Sequence, residues 1–194
     1  MELDRERIKI SVIGLGYVGL PLAVEFSKLY NVVGFDINAK RINELKNNYD
    51  NTNEYDESEM ALSVDLFLTN YQKDIYDSNV YIITVPTPVD KNNKPDLMPL
   101  ESASKMIGKC LMENDIVIYE STVFPGATEE VCVPILEKYS NLKYNMQFFC
   151  GYSPERINPG DKKNTLKTIV KITSGSNKHT ANFINELYGS IVSA

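Results

Sequence analysis

The stretch that most constrains this chain runs from Ile8 to Gly19, IKISVIGLGYVG. Its first half gathers the β-branched residues Ile8, Ile10, Val12 and Ile13, the composition a buried strand favours. The run then breaks into Gly14-x-Gly16-x-x-Gly19, and Leu20 to Phe26 continues as a helix with an apolar face. A glycine pattern by itself is often only a turn. Placed between a strand and a helix, it is a fingerprint for a bound dinucleotide. Gly14 permits the tight turn, Gly16 keeps a Cβ out of the path of a pyrophosphate, and Gly19 lets helix and strand pack closely. The helix N-terminus adds free N–H groups and a partial positive charge.

A second strand, Asn31 to Asp36, ends in an acid at the distance the fingerprint requires. A carboxylate there accepts hydrogen bonds from the adenosine ribose hydroxyls and repels a 2′-phosphate, so the expected cofactor is NAD and not NADP. The plainer alternative makes Asp36 a helix cap or turn residue. Asn38 to Lys46 reads as an amphipathic helix with Ile42 and Leu45 inward. Arg41, one turn in, either meets the adenosine or lies on an exposed helix surface.

A length of 194 residues fits one domain, taken here as 1–194. The net charge of −6 argues against nucleic acid as a partner. No stretch approaches the roughly 20 apolar residues of a membrane span, and the charged N-terminus lacks a signal-peptide core. Cys110, Cys132 and Cys150, with the lone His179, offer neither metal spacing nor a disulfide framework. No metal site is expected, and a cytoplasmic location is. His179 reads as the solvated start of a helix, and the polar residues 47–60 as a solvated face or loop without function.

The rest of the chain alternates strands and helices: strands over 64–69, 80–85, 115–120, 147–150 and 168–172, and helices over 100–112, 131–139 and 178–187. Residues 91–99 read as a loop, and Pro134 as lying near a kink of its helix. The expected fold is Rossmann-type α/β, doubly wound, with a mostly parallel sheet and helices on both faces. Candidate functional residues then collect at strand carboxyl ends, where such a sheet binds ligands: the glycine loop, Asp36, Pro86-Thr87-Pro88, Ser121-Thr122 and Ser153-Pro154-Glu155-Arg156.

Together these segments resemble the nucleotide-sugar 6-dehydrogenase family, the UDP-glucose and GDP-mannose dehydrogenases. The resemblance rests on GLGYVGLP (14–21), VPTP (85–88), ESTVFPG (120–126) and SPERINPG (153–160), and it covers nearly the whole chain. The last motif is most similar to the branch that oxidises UDP-N-acetylhexosamines for capsule, O-antigen or other surface polysaccharides. The resemblance implies a four-electron oxidation of the sugar C6 alcohol to a carboxylate, with two NAD⁺ used in sequence and a cysteine thioester between the steps. It implies that Tyr17 and Val18 present backbone groups to the pyrophosphate and that Asp36 and Arg41 hold the adenosine. Pro86, Thr87, Ser121 and Thr122 would line the nicotinamide side, and the Thr122 hydroxyl would position a water. Glu155 would assist hydrolysis as general base or by orienting the water, with Arg156 and Ile157 on the nucleotide sugar. Without the motif, Glu155 and Arg156 would read as a surface ion pair worth under about 1 kcal/mol.

In the family the nucleophilic cysteine, lysine and asparagine lie beyond the last residue here, Ala194. The expectation is therefore an amino-terminal cofactor domain of a longer enzyme that binds NAD, does not turn over alone and is monomeric, since the family dimerises through its central helix. Two other readings remain: a different NAD enzyme of β-hydroxyacid type, which would not carry PERINPG, and a non-catalytic NAD-binding module, which would not bind a UDP-sugar.

Overall fold

The computed structural model describes residues 6–55, 66–89, 91–92, 94–155, 166 and 169–192. Seven strands form one sheet: β1 (Lys9–Ile13), β2 (Asn31–Phe35), β3 (Leu66–Thr69), β4 (Val80–Ile83), β5 (Ile116–Tyr119), β6 (Phe149–Tyr152) and β7 (Ser174–Gly175). Their order is β3-β2-β1-β4-β5-β6-β7, parallel except for the β6–β7 edge. The chain leaves β1 toward β2 and β3, then returns to place β4 on the other side of β1. That reversal opens a crevice beyond the carboxyl ends of β1 and β4, the switch point where ligands bind such sheets. The Rossmann-type expectation is met.

Among the described residues, five α-helices cover the sheet: α1 (Gly19–Ser27), α2 (Ala39–Lys46), α3 (Met98–Gly108), α4 (Val133–Ser140) and α5 (Lys178–Gly189). The apolar strands are buried on both faces because successive side chains serve opposite cores. Ile10, Val12, Val80, Ile82, Ile116 and Ile118 pack with α1, α2 and α5. Ile13, Tyr81, Ile83, Val117 and Tyr119 pack with α3 and α4 on the other side. All three cysteines lie buried in this second core.

Several element bounds differ from expectation. Pro99 opens α3 instead of closing a loop, and Pro134 lies in the first turn of α4, where its missing N–H costs nothing. A π-helical turn, Thr128–Cys132, runs directly into α4 next to Pro134. The sixth strand falls two residues later than 147–150, because Phe149 and Tyr152 take the register opposite Ile116 and Tyr119. The expected strand over 168–172 is absent among its described residues, 169–172; the edge strand is the short β7. Val170 and Ile172 in that run face outward, 65% and 50% exposed, while the Lys171 side chain points in at 5%. No described helix is long and apolar enough to cross a membrane.

Candidate functional site: a cleft at the sheet switch point

Between the carboxyl ends of β1, β2, β4 and β5 lies a cleft of about 630 Å³, a size that suits a cofactor. Its wall includes Gly14, Gly16, Tyr17, Val18 and Asp36. Pro86, Thr87, Ser121 and Thr122 line it too, with Glu120 and Glu155. Sequence positions separated by more than 100 residues are thus brought to one surface. Of the other expected site residues, Gly19 is buried beneath the loop, Arg41 is off the cleft wall, and Arg156 and Ile157 lie outside the described residues.

The glycine loop is built from inside outward. Gly14 adopts φ +96°, which L side chains rarely do, and its N–H donates to Phe35 O at 2.8 Å. A Cβ on Gly19 would stand 1.8 Å from Gly14 O and 2.4 Å from Thr84 Oγ1, so only glycine permits this approach of α1 to β1. At Gly16 a Cβ would meet no atom within 4 Å, because that position opens on the cleft. Val18, the N-cap residue of α1, supplies no side-chain cap, and no acid occupies the first turn, so the positive end of the helix is not neutralised by its own side chains.

Asp36 is neither an N-cap nor unattached. Its Oδ2 accepts from Leu15 N at 2.8 Å and its Oδ1 from Asn38 N at 2.8 Å, while Asn38 itself caps α2. Each carboxylate oxygen keeps a further lone pair for ribose hydroxyls. On the other wall, Thr87 Oγ1 donates to Thr122 O at 2.6 Å and Ser121 Oγ donates to Val85 O at 2.5 Å. These two bonds tie the β4 and β5 loops together. Pro86 and Pro88 hold the first of them extended.

Arg41 is 5% exposed, so it is no surface residue, and it is not among the residues that line the cleft. Nε donates to Leu15 O at 2.8 Å, Nη1 donates to Asn51 Oδ1 at 2.8 Å, and Nη2 stands 2.7 Å from Asp50 Oδ1. Burial pushes the Asp50 carboxyl up, but hydrogen bonds from Thr52, Arg41 and the backbone outweigh it and hold the group below its ordinary value.

Glu155 belongs to a buried cluster that the sequence reading missed. Lys171 Nζ donates to Glu120 Oε2 at 2.5 Å and to Glu155 Oε2 at 3.5 Å, and lies 5.6 Å from the centre of the Tyr188 ring. The Tyr188 hydroxyl donates to Glu120 Oε1. Burial drives the Glu120 carboxyl up; Lys171 and Tyr188 pull it down, and the net result stays above the ordinary value. The available signal was a single lysine inside an apolar run, Ile169-Val170-Lys171-Ile172. Ile37 (84% exposed) and Thr84 complete the cleft wall and were also not anticipated.

The cysteines do not join this site. Burial pushes the thiols of Cys110 and Cys150 up and that of Cys132 to about 11, which suppresses the nucleophilic thiolate. His179 is exposed in the first turn of α5, as expected.

Comparison with known proteins agrees with this geometry. Residues 8–192 match the model of the UDP-glucose/GDP-mannose dehydrogenase family, NAD binding domain. A UDP-N-acetyl-D-glucosamine 6-dehydrogenase of Pseudomonas aeruginosa is 56% identical over 96% of this chain and 44% of its own length. One of Salmonella typhi is 55% identical over 97% of this chain and 44% of its own. The chain thus spans less than half the length of these curated relatives. Among solved structures, UDP-D-ManNAc dehydrogenase from Pyrococcus horikoshii superposes with a TM-score of 0.90 at 33% identity, over 96% of this chain and 46% of its own. The glycine-lined switch point and the match over 8–192 lead to one assignment: this chain belongs to the UDP-glucose/GDP-mannose dehydrogenase family, as its NAD binding domain.

Proposed function

We propose that this chain is the cofactor-binding part of an NAD-dependent UDP-N-acetylhexosamine 6-dehydrogenase serving surface-polysaccharide synthesis in the cytoplasm. The observation that carries the reading is one cleft whose lining brings together the glycine cradle, Asp36 and Glu155. The residues fit the cofactor: the open face at Gly16, the uncapped start of α1 and the Asp36 carboxylate offer what a pyrophosphate and a ribose require. NAD, when bound, accepts the hydride from the sugar C6.

The backbone at Gly16, Tyr17 and Val18 binds the phosphates, and Asp36 orients the adenosine ribose and disfavours a 2′-phosphate. Thr87, Ser121 and Thr122 hold the nicotinamide side of the cleft rigid through the loop bonds described above. Glu155 accepts the proton of the water that hydrolyses the thioester, and Thr122 helps to place that water. Glu120 and Glu155 both border the cleft; Lys171 sits closer to Glu120, and Glu155 is the more exposed of the two. Arg156 and Ile157 contact the nucleotide sugar. The thiol nucleophile comes from sequence outside these 194 residues, since Cys110, Cys132 and Cys150 are buried in the α3–α4 core.

A polypeptide spanning the full length of the relatives should reduce two NAD⁺ per UDP-N-acetylhexosamine oxidised, and these 194 residues alone none. Quantifying NADH against limiting UDP-sugar decides it. A ratio of one, or turnover of GDP-mannose and not of UDP-N-acetylhexosamines, would overturn the assignment.

A further inference from the structure

We propose that Lys171 is a positioning residue for Glu155: its buried ammonium, itself fixed by Glu120, anchors the Glu155 carboxylate at the cleft wall, a role that rests on the hydrolytic function proposed for Glu155 above.

Three segments distant in sequence meet at this point. Glu120 follows β5, Glu155 follows β6, and Lys171 lies in the run that leads to β7. Both glutamates border the cleft, yet their side chains are only 0% and 9% exposed, and that of Lys171 is 5% exposed. Lys171 Nζ donates to Glu120 Oε2 at 2.5 Å and to Glu155 Oε2 at 3.5 Å, so one ammonium bridges two carboxylates. Its neighbours Val170 and Ile172 face outward. The run thus desolvates a cation and leaves two apolar side chains in water. Edge packing alone favours the reverse.

The anchor is itself held. Tyr188, on α5, donates its hydroxyl to Glu120 Oε1 and sets its ring 5.6 Å from Nζ. Glu120 is therefore gripped at both oxygens, and the order of support runs from Tyr188 to Glu120, to Lys171 and then to Glu155. Only the last of these carries a role in the proposed chemistry. Water added to the thioester forms a C–O bond while the C–S bond breaks and the cysteine leaves as thiolate; the proton of the water goes to Glu155. That transfer needs the carboxylate in one place, within hydrogen-bond reach of the water, and a buried ion pair supplies the constraint.

The test uses a polypeptide spanning the full length of the relatives, with NAD⁺ and UDP-N-acetylglucosamine. The variants are Lys171→Met, Glu120→Gln, the double variant and Glu155→Gln. The double variant strands no buried carboxylate, so it supplies a folded protein without the ammonium where Lys171→Met does not fold. Stopped flow reads the first-turnover burst of NADH, steady-state kinetics read kcat and KM, and the intact mass of quenched enzyme reads the sugar thioester. Lys171→Met against wild type, and the double variant against Glu120→Gln, should keep the burst and hold KM for the UDP-sugar within about threefold. Each should lose about tenfold or more in kcat and accumulate the thioester, as Glu155→Gln does. A merely structural role would lower burst and kcat together. That result would overturn the proposal, as would folded variants with unchanged kcat. Wild type that forms other than two NADH per UDP-sugar would refute the dehydrogenase reading, and Glu155→Gln without thioester would refute the role of Glu155; either takes the proposal with it.

Discussion

Replacing Lys171 with methionine should expose how tightly Glu120 depends on it. Glu120 is fully buried, and its two oxygens are held by Lys171 and Tyr188. Methionine fills much of the lysine stem's volume but leaves a buried carboxylate with one neutral donor. Removing one partner of a buried ion pair costs about 3–5 kcal/mol. For a chain of this size that lowers the melting temperature by roughly 6–20 °C. The cost should also depend on pH. The folded-state pKa of Glu120 already lies above its ordinary 4.5, so its proton is held more tightly folded than unfolded. Such a group favours folding below the unfolded value and loses that contribution as pH rises through the folded one. Removing Lys171 widens that window upward. The deficit of the variant should therefore be small near pH 4.5 and full near about pH 8. Urea denaturation of the wild type, Lys171→Met, Glu120→Gln and the double variant at both pH values measures it. The double variant should recover most of the loss, with a coupling of at least about 2 kcal/mol. A deficit that does not change with pH, or a double variant no better than Lys171→Met, would refute the reasoning.

Further expectations concern the loop, the second core and assembly. Gly16→Ala should leave the melting temperature unchanged, since its Cβ meets nothing, yet abolish calorimetric NAD⁺ binding; Gly19→Ala should fail to give a cooperative melt, because its Cβ would overlap Gly14 O. Burial raises the Asp115 carboxyl from 3.8 to about 6, so it favours folding below 3.8 and loses that contribution as pH rises through about 6. Asp115→Asn should therefore gain stability relative to wild type at about pH 8, by up to about 3 kcal/mol, and gain little near about pH 4, as denaturation curves would show. Light scattering should give a monomer of 21.9 kDa. A dimer mass would contradict it.

What was legible in the sequence is what local periodicity and turn chemistry encode. β1, α1 and β2 were readable because apolar residues dominate each and glycines mark the turn between the first two. Asp36 was readable because its place depends only on where β2 ends. The supports behind these residues were not. Lys171 meets Glu155 and Glu120 across 16 and 51 residues of sequence, and its neighbours Val170 and Ile172 face outward, so the apolar pattern named the wrong face. Arg41 finds Asp50 and Asn51 in a polar stretch that periodicity reads as featureless. Pro99 and Pro134 look like helix breakers until the first turn of each helix is located. Side chains that hold other side chains leave no repeat in the sequence.

The most direct measurement is a calorimetric titration of the chain with NAD⁺ and, separately, with NADP⁺. Saturable NAD⁺ binding at one site, with NADP⁺ weaker by at least about tenfold, is the predicted result, since the Asp36 carboxylate accepts from a ribose hydroxyl and repels a phosphate there. Equal affinity for the two, or no binding by a folded sample, would contradict the account.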